Sequence, residues 1–492
     1  MASSRELSED AAGRALICLN AAARAAAKMP RAIRRGARLR DRGAGMDPAT
    51  SPLLTDLYQL NMMQAYLEGG KTDTAVFELF FRALPARRGF LVAAGLETAL
   101  DFLEQLRFSE AEIAWLERSG RFGRPLLDYL AGFRFAGDVH AMAEGTAFFA
   151  HEPILRVTAP LPQAQLVETR LINILHFQSL IAAKAARMVL AAPGRLLVDF
   201  GLRRAHGAEA GLMAARASYI SGFAGTATML AQQKFGIPVY GTMAHSFIQA
   251  HDDEAEAFAR FARSRPENLV LLIDTYDTEA AAHKVVALAP RLAREGIAIR
   301  GVRLDSGDLA ALAKSVRCIL DDGGLRETIV FASGGLDEDA LMALAAAGAP
   351  IDGYGIGTSL ATSSDVPALD CAYKLQEYAG VPRRKRSAGK ATWPGRKQVW
   401  RRYDADGRIE SDTLSLESDS HPGEPLLRPV MRAGRRVPSR PGLDECRAHA
   451  ALELRRLPPS LRALSPGATC SVIVADALAR LAADADRRQA GH

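Results

Sequence analysis

The chain has 492 residues, of which 48% are hydrophobic and 24% charged, so it can bury one large core or two and is no small disulfide-stapled module. Residues 1–45 hold ten Lys and Arg against four Asp and Glu, and this difference of six equals the whole formal charge of +6. The remaining chain is near neutral, so the pI of about 9.1 does not indicate a nucleic-acid partner.

Residues 1–45 are rich in Ala and Arg and contain few large apolar side chains. This composition predicts a basic disordered tail, because such a segment buries little apolar surface. Glu6, Glu9 and Asp10 disfavour a transit peptide, a class that is poor in acidic residues. A start at Met46, just before the first structured signal, is the other interpretation.

The spacing of the cysteines and the length of the apolar runs indicate the cellular compartment of the protein. Cys18, Cys318, Cys371, Cys446 and Cys470 lie far apart without a CxxC pair, which favours a reducing cytoplasm and disfavours a zinc site. No uninterrupted apolar run approaches the roughly 20 residues of a membrane helix. We therefore expect a cytoplasmic protein without a membrane partner.

From Thr55 the pattern predicts regular structure. The stretch TDLYQLNMMQAYLEGG predicts a helix capped by Thr55 and stopped by a Gly-Gly pair, and TAVFELFF predicts a strand. Helices are predicted at 95–106 and 110–118, an antiparallel region at 138–162, and a long apolar helix at 165–190.

Between residues 196 and 360 the chain repeats a short buried strand, a turn and an Ala-rich helix. The predicted strands are RLLVDF, IPVYGT, LVLLID, IRGVRL, TIVFA and DGYGIG. This alternation predicts a parallel sheet covered on both faces. Six repeats fit an irregular α/β barrel or an open doubly wound sheet.

Unusual polar residues follow each predicted strand. The segments are DFGLRR (199–204), TMAHS (242–246), DTYD (274–277), RLDSGD (303–308), SGG (333–335) and GIGT (355–358). The carboxyl ends of parallel strands form the ligand edge of α/β folds, so these segments predict one pocket.

Each residue type in this pocket has a functional and a structural interpretation. The glycines suit backbone binding of phosphate, and Arg203 and Arg204 suit phosphate or carboxylate, although turn glycines and exposed loop arginines are common. Asp274, Asp277 and the acids of 303–308 suit ribose hydroxyls or Mg²⁺, although each could merely cap a helix.

Taken together, these motifs resemble the nicotinate phosphoribosyltransferase family. The resemblance covers roughly residues 50–470 and leaves out the first 45. The matching motifs are TDLYQLNMMQAY, FELFFR, VETRLINIL, DFGLRRAHG, GTMAHSFI, LIDTYDT, VRLDSGDL, FASGGLDE, GIGTSLAT and PGRKQVWR.

The resemblance implies an α/β fold with two domains. One is an irregular TIM-like α/β barrel at 166–362, which would be catalytic. The other is an α/β sandwich built from N-terminal chain, 46–165, and C-terminal chain, 363–475. Residues 476–492 are predicted to be a tail.

The resemblance also implies a reaction. Nicotinate and phosphoribosyl pyrophosphate would give nicotinate mononucleotide and pyrophosphate, a salvage step of NAD biosynthesis. ATP, as a coupled substrate, would be hydrolysed through a phosphohistidine at His245, and Mg²⁺ would be the cofactor. The expected assembly is a homodimer with shared active sites.

Individual roles carry over by position. Phe200 would stack on the pyridine ring, Thr242 and Arg303 would contact nicotinate, and Tyr58 would approach it from the neighbouring subunit. Arg203, Gly335, Gly357 and Thr358 resemble the phosphate cradle. Asp305, the second predicted catalytic residue, and Asp308 resemble the ribose and Mg²⁺ side. Mg²⁺ would be held mainly through substrate phosphates, with Asp274 or Asp277 as candidate protein ligands.

Three alternatives stay open at this point. A nicotinamide-using relative would carry an acidic residue where Ala227 stands, because a carboxylate accepts hydrogen bonds from an amide and repels nicotinate. A relative that uses quinolinate would need a denser cluster of cations than this sequence shows. A nucleic-acid-binding protein, from a different class, would use the basic tail and the Arg-rich segment 383–402. A Schiff-base aldolase is disfavoured because no predicted barrel strand ends in Lys.

Overall fold

The computed structural model describes residues 50–490 except 388 and 439, so the predicted tail at 1–45 lies outside the described residues. Residues 50–191 form the helices α1 to α6 and the strands β1 to β5. They are α1 (Leu57–Glu68), β1 (Thr74–Phe81), β2 (Leu91–Val92), α2 (Leu96–Gln105), α3 (Glu110–Arg118), α4 (Arg124–Ala131), β3 (Asp138–Ala141), β4 (Ala147–Phe148), β5 (Pro153–Pro160), α5 (Leu161–Leu166) and α6 (Glu168–Ala191).

The predicted elements of this region are confirmed, with one correction at the first helix. The residue that precedes α1 is Asp56 in extended conformation, not Thr55, and its side chain makes no capping hydrogen bond. The Thr55 hydroxyl is buried without a hydrogen-bond partner. Gly69 ends α1, as the Gly-Gly stop predicts.

Residues 192–362 alternate strands and helices. They form β6 (Leu196–Asp199), a 3₁₀ turn (Leu202–Arg204), α7 (Ala208–Ile220), β7 (Gly225–Thr226), α8 (Met229–Phe235), α9 (His245–Gln249), α10 (Glu254–Ser264), β8 (Leu269–Leu272), α11 (Thr278–Arg294), β9 (Ile299–Leu304), α12 (Leu309–Asp322), β10 (Ile329–Ser333), α13 (Glu338–Ala346), β11 (Gly353–Ile356) and α14 (Thr358–Ala361).

Six of these strands form one parallel sheet in the order β7-β6-β11-β10-β9-β8. The central strands are buried on both faces, and helices connect most of them, as in an α/β barrel. The end strands β7 and β8 do not pair with each other, so the sheet forms an incomplete barrel wall.

One predicted strand of this sheet is wrong. The segment IPVYGT forms no strand and contributes a single isolated bridge between Val239 and Thr226. The sixth strand is instead the two-residue β7, which pairs with β6. Two residues are too few to show a strand periodicity, so the sequence pattern could not identify β7.

Residues 363–490 complete the fold. They form β12 (Cys371–Tyr378), β13 (Val381–Pro382), β14 (Lys397–Tyr403), β15 (Ile409–Leu416), β16 (Glu424–Pro425), β17 (Arg428–Arg432), β18 (Arg435–Arg436), α15 (Leu443–Arg456), α16 (Pro459–Arg462), β19 (Ser471–Val474) and α17 (Asp476–Ala490).

An antiparallel sheet joins the two ends of the described chain. Its order is β13-β12-β1-β5-β3-β17-β18, so three strands from before residue 161 form the centre and two strands from after residue 370 flank them on each side. β1 pairs with β12 from Ala75 to Phe81 and with β5 on the other side. The sandwich domain built from N-terminal and C-terminal chain is therefore confirmed.

The end of the chain differs from the predicted tail at 476–492. Residues 476–490 form α17, and its Leu478, Ala482 and Ala485 side chains are buried. Apolar residues at helical spacing among charged ones explain this packing, and a tail assignment overlooked that spacing.

The long helix α6 is shared by two hydrophobic cores. Leu171, Ile174 and Leu180 belong to the core of the sandwich, whereas Ile181 and Ala185 belong to the core of the barrel. By length and composition α6 could cross a membrane, but 78% of its most apolar window is buried inside the protein. Burial on nearly all sides explains an apolar helix without a membrane.

A buried cluster of acids links β15 and α15 to the turn before β5. Arg401 pairs with Asp412 and with Glu453, at 2.6 Å in each case. Glu152, fully buried, accepts a hydrogen bond from the Phe149 backbone N–H at 2.8 Å. Burial, followed by the neighbouring Asp412 carboxylate, raises the pKa of Glu152 well above its ordinary value.

We therefore expect Glu152→Gln to stabilise the protein at alkaline pH. Above the ordinary pKa of 4.5 the folded state retains a proton that the unfolded state has lost, so stability falls as pH rises. The variant, which removes this penalty, should melt several degrees above wild type at pH 8 and close to it at pH 5, as measured by thermal unfolding.

Glu144→Gln is the matched control. Glu144 is also buried, but it pairs with Arg216, and this partner together with backbone hydrogen bonds lowers its pKa against the opposing effect of burial. Its contribution is present at neutral pH and lost as the pH falls through the lowered pKa, so Glu144→Gln should be strongly destabilising at pH 8 and less so in acid. A drop in melting temperature for both variants at pH 8 would contradict the assignment of Glu152.

Candidate active site

The carboxyl ends of the parallel strands surround a cavity of about 380 Å³. Neighbouring strands contribute to its wall because β6, β11, β10 and β9 lie side by side. The cavity is lined by Phe200, Arg203, Arg204, Asp305, Ser333, Gly334, Gly335, Leu336, Asp337, Gly355, Gly357, Thr358, Ser359 and Ser364. Six of the residues predicted from sequence therefore meet here: Phe200, Arg203, Asp305, Gly335, Gly357 and Thr358.

Phe200 lies against a strand that has no side chain at the point of contact. A Cβ at Gly355 would lie 2.4 Å from the nearest Phe200 ring carbon, so the ring occupies the space of the missing side chain. The Phe331 ring lies 5.9 Å away, centroid to centroid. The Phe200 backbone N–H donates to the Ile356 carbonyl at 2.8 Å, which fixes the ring beside the cavity.

Asp199, one residue before Phe200, is buried beneath the site. Its carboxylate accepts hydrogen bonds from the Gly201 backbone N–H and from the Thr226 hydroxyl, both at 2.7 Å. Burial raises the pKa of Asp199 to about 6, and the two hydrogen bonds oppose this shift. Asp199 therefore ties β7 and the turn after Phe200 together, a role that its position at a strand end did not reveal.

Arg303 and Thr242 are brought together as predicted. The Arg303 Nη1 donates to the Thr242 hydroxyl at 2.8 Å, and the Nε is buried without a hydrogen-bond partner. Burial lowers the pKa of Arg303, although the Asp305 and Asp274 carboxylates oppose this shift. The guanidinium is thus a poorly solvated cation, which favours an anionic partner.

His245 is the first residue of α9 and is partly exposed. Its Nδ1 lies 3.1 Å from the Thr275 hydroxyl, and its Nε2 lies 3.9 Å from Asp305 Oδ2. One ring nitrogen is therefore hydrogen-bonded, and the other faces a carboxylate beside the cavity. The sequence placed Thr275 at a strand end, but only the structure shows its contact with His245.

Asp305, which follows β9, is held by residues at the ends of the two neighbouring strands, β8 and β10. Its backbone N–H donates to Asp274 Oδ2 at 3.0 Å, and its Oδ1 accepts a hydrogen bond from the Ser333 hydroxyl. A Cβ at Gly334, where φ is +95°, would lie 2.0 Å from the Asp305 carbonyl oxygen, so only glycine fits there. Both glycines of the SGG segment line the cavity, but Gly334 is required by its contact with Asp305, whereas a Cβ at Gly335 would meet no atom within 4 Å.

Asp277 and Asp308 act as helix N-caps. Asp277 accepts from the Ala280 N–H at 2.8 Å, and Asp308 accepts from the Ala310 and Ala311 N–H groups, both at 3.1 Å. Among the described residues, no group of three or more His, Cys, Asp or Glu side chains could hold a metal ion. Asp274 Oδ1 is buried without a hydrogen-bond partner, which makes Asp274 a better candidate ligand than Asp277.

Tyr58 does not line the cavity of its own chain. It lies on α1 near Glu168 and Thr169, and it is 46% exposed. Burial raises the pKa of its hydroxyl, and Glu168 acts in the same direction. Its predicted contact with nicotinate needs a neighbouring subunit and stays a prediction.

The sequence matches two family profiles. The profile of the nicotinate phosphoribosyltransferase (NAPRTase) N-terminal domain matches residues 53–176, and that of the NAPRTase family matches residues 196–387. The chain belongs to the nicotinate phosphoribosyltransferase family.

Relatives and solved structures agree with this family. The chain is 49% identical to nicotinate phosphoribosyltransferase pncB2 of Mycobacterium tuberculosis over 86% of this chain and 91% of the relative. It is 42% identical to the nicotinate phosphoribosyltransferase of Bacillus subtilis over 76% and 78%. The crystal structure of human nicotinic acid phosphoribosyltransferase matches at a TM-score of 0.79 and 30% identity, over 87% of this chain and 99% of that one.

The contact between Phe200 and Gly355 gives a test of this family member's site. In Gly355→Ala the new methyl group would overlap the Phe200 ring, so the ring or β11 must shift, and we expect a loss of about 1–3 kcal/mol in unfolding free energy. Gly132→Ala is the control, because its Cβ would meet only carbonyl oxygens at 4.0 Å. Equal stability of the two variants in denaturant titrations would contradict the packing described here.

Proposed function

We propose that this protein is a nicotinate phosphoribosyltransferase that uses phosphoribosyl pyrophosphate as donor and hydrolyses ATP through a phosphohistidine. The supporting observation is the meeting of an aromatic ring, arginines, an aspartate and two glycine-rich segments around one cavity. Membership of the nicotinate phosphoribosyltransferase family supports the reaction. The product, nicotinate mononucleotide, is a precursor in NAD biosynthesis.

Nicotinate would bind between Phe200 and the Arg303–Thr242 pair. The Phe200 ring offers a flat apolar face to the pyridine ring. Packing against Gly355 holds the Phe200 ring in place. The buried Arg303 guanidinium would pair with the substrate carboxylate, since its Nε has no partner within the chain. Thr242 orients the guanidinium through the 2.8 Å hydrogen bond.

The phosphoribosyl donor would occupy the cavity itself. Arg203 and Arg204, both exposed on the 3₁₀ turn, provide cationic forks for its phosphate groups. Gly335, Gly357 and Thr358 leave backbone N–H groups open to phosphate oxygens. Asp305 faces the same space and would bind the ribose hydroxyls. Asp308, which caps α12, would reach the ribose only with its second carboxylate oxygen.

The reaction needs positioning and charge stabilisation more than proton transfer. The bond between ribose C1 and the pyrophosphate oxygen breaks, the pyridine nitrogen forms a bond to C1 from the opposite face, and pyrophosphate leaves with the bonding electrons. The positive charge that develops on the ribose lies near Asp305, and the charge of the leaving group faces the arginines.

Mg²⁺ fits the donor set only in part. Asp274 has one buried oxygen without a partner, and Asp277 is engaged as a cap, so the substrate phosphates would supply most ligands. When bound, the ion would neutralise the pyrophosphate. The chain's own contribution is to hold Asp274 in place through the Ser306 hydroxyl at 2.6 Å and the Asp305 N–H at 3.0 Å.

ATP coupling would proceed through His245. A ring nitrogen attacks the γ-phosphorus, ADP leaves, and water later cleaves the phosphorus–nitrogen bond to release phosphate. The Nε2 faces Asp305 at 3.9 Å, so a phosphoryl group there would place negative charge beside that carboxylate. The resulting repulsion is a physical route by which ATP could reorganise the donor site.

The protein would work in the cytoplasm. A homodimer would complete its active site. Leu54, Leu57 and Tyr58 are 46–50% exposed at the start of the described chain, and Met229 and Leu230 are 67% and 52% exposed on α8. Apolar side chains on both segments suit contact between two copies, in which Tyr58 reaches the partner's cavity.

The Arg-rich segment 383–402 supports the enzyme over the nucleic-acid alternative. Many of its cations are already paired within the chain. Lys397 pairs with Glu78 at 2.7 Å, and Arg401 pairs with Asp412 at 2.6 Å. Neutralised cations leave little of the basic footprint that a phosphate backbone needs.

Ala227 favours nicotinate over nicotinamide. Its backbone N–H donates to the Asp199 carbonyl at 2.8 Å, so it lies beside the segment that positions Phe200. We expect Ala227→Asp to raise the KM for nicotinate by about 100-fold, because a carboxylate there would face the substrate carboxylate. Ala227→Asn, which introduces a side chain of the same shape as Asp without its charge, should change the KM for nicotinate far less. Equal effects of the two variants in steady-state kinetics would contradict the charge argument.

His245→Asn and Asp305→Asn separate ATP coupling from transfer. ATP hydrolysis by His245→Asn should fall by about 100-fold or more, whereas slow ATP-independent transfer survives, since other residues hold the donor. Asp305→Asn should impair transfer with and without ATP. The measurements are ADP and nicotinate mononucleotide formation, together with acid-labile label from γ-labelled ATP. Undiminished label on His245→Asn would refute the phosphohistidine.

The overall assignment is tested with purified wild-type protein, phosphoribosyl pyrophosphate and Mg²⁺. Nicotinate, nicotinamide and quinolinate are offered separately, with and without ATP. We expect efficient turnover of nicotinate alone, faster with ATP. Comparable turnover of nicotinamide would favour the alternative substrate.

A further inference from the structure

A cluster of five charged side chains lies behind two walls of the cavity. This buried ion cluster consists of Arg88, Lys184, Arg187, Glu338 and Asp365. Lys184 and Arg187 lie on α6, Glu338 begins α13, Asp365 follows α14, and Arg88 precedes β2.

The members of the buried ion cluster bind one another directly. Lys184 Nζ pairs with Glu338 and lies 2.9 Å from Asp365 Oδ1. Arg187 Nε lies 3.0 Å from Glu338 Oε1, and Arg88 Nη2 lies 2.9 Å from Asp365 Oδ1. Lys184 therefore connects the two carboxylates that the arginines hold from either side.

A gain in stability is a weak explanation for this cluster. The side chains of Arg88, Lys184, Arg187 and Glu338 are at most 5% exposed, and that of Asp365 is 18% exposed. Desolvating charges costs free energy that pairing recovers only in part, and apolar side chains of similar volume often stabilise a protein as well or better. Three cations face two anions, so the cluster also retains one net positive charge.

Both carboxylates sit at the ends of cavity-lining loops. Glu338 directly follows Asp337, the last residue of the glycine loop that begins at Gly334, and Asp365 directly follows Ser364. The Ser359 hydroxyl donates to the Leu336 carbonyl and links the glycine loop to α14, the helix that the second loop follows. Anchoring Glu338 and Asp365 to α6 thus sets the distance between two walls of the cavity.

We propose that the buried ion cluster is a positioning device for the phosphate groups of the donor. Lys184 holds the glycine loop and the loop after α14 at the spacing that a phosphate or pyrophosphate group requires, and the surplus positive charge favours an anion between them. Lys184, Arg187 and Arg88 act through the loops and do not touch substrate. The inference rests on the proposed function, in which this cavity takes phosphoribosyl pyrophosphate.

The test compares two buried Lys–Glu pairs. Lys184→Met breaks the cluster, and Lys397→Met breaks the equally buried Lys397–Glu78 pair of the sandwich, where Nζ and Oε2 are 2.7 Å apart. We expect Lys184→Met to raise the KM for phosphoribosyl pyrophosphate by about 10-fold or more, since small misplacements of a binding group are costly. The KM for nicotinate should stay within about twofold of wild type, and Lys397→Met should leave both constants unchanged.

Binding of pyrophosphate alone, measured by calorimetry, gives a second readout that needs no turnover. It should weaken in parallel for Lys184→Met and not for Lys397→Met. If Lys184→Met does not fold, Glu338→Gln, which keeps the shape of the side chain, is measured in its place with the same expectation. A wild-type protein that forms no nicotinate mononucleotide would refute the proposed function. If wild type is active but the Lys184 or Glu338 variant has the same KM values as Lys397→Met, the positioning role is overturned and the proposed function stands.

Discussion

Parallel pairing of β6, β11, β10 and β9 is the constraint on which the site depends. Because all four strands run the same way, their carboxyl ends lie at one edge, and the residues that follow them share one cavity. The pairing is close enough to require glycine at two points. Gly355 admits the Phe200 ring, and Gly334 admits the Asp305 carbonyl oxygen.

This edge is supported by carboxylates at the strand ends and by a helix packed behind the cavity loops. Asp199 and Asp274, both at strand ends, accept hydrogen bonds from neighbouring loops and so fix Phe200 and Asp305. The helix α6 supplies Lys184 and Arg187 to the loops from behind and belongs to both hydrophobic cores. A change in the packing of α6 would therefore be transmitted to the cavity.

The polar groups of the site divide into those that build it and those left free to bind. Asp277 and Asp308 satisfy helix N-termini, and Ser333 satisfies Asp305. Arg203, Arg204 and Gly335 line the cavity. Within the described part of the chain, none of the three forms a hydrogen bond with another side chain that would give it a structural task. Arg303 combines both kinds of role, since Thr242 orients it while its Nε is left without a partner.

The sequence by itself determined the α/β class, five of the six parallel strands and the family, because buried strands, turns and helices leave local patterns and the motifs are specific. It also placed most cavity residues at strand ends. Only the tertiary structure decided that β7 replaces IPVYGT and that Thr275 contacts His245. These features, like the cluster around Lys184, join residues 30 to more than 100 positions apart or depend on elements too short for periodicity, so no local pattern records them.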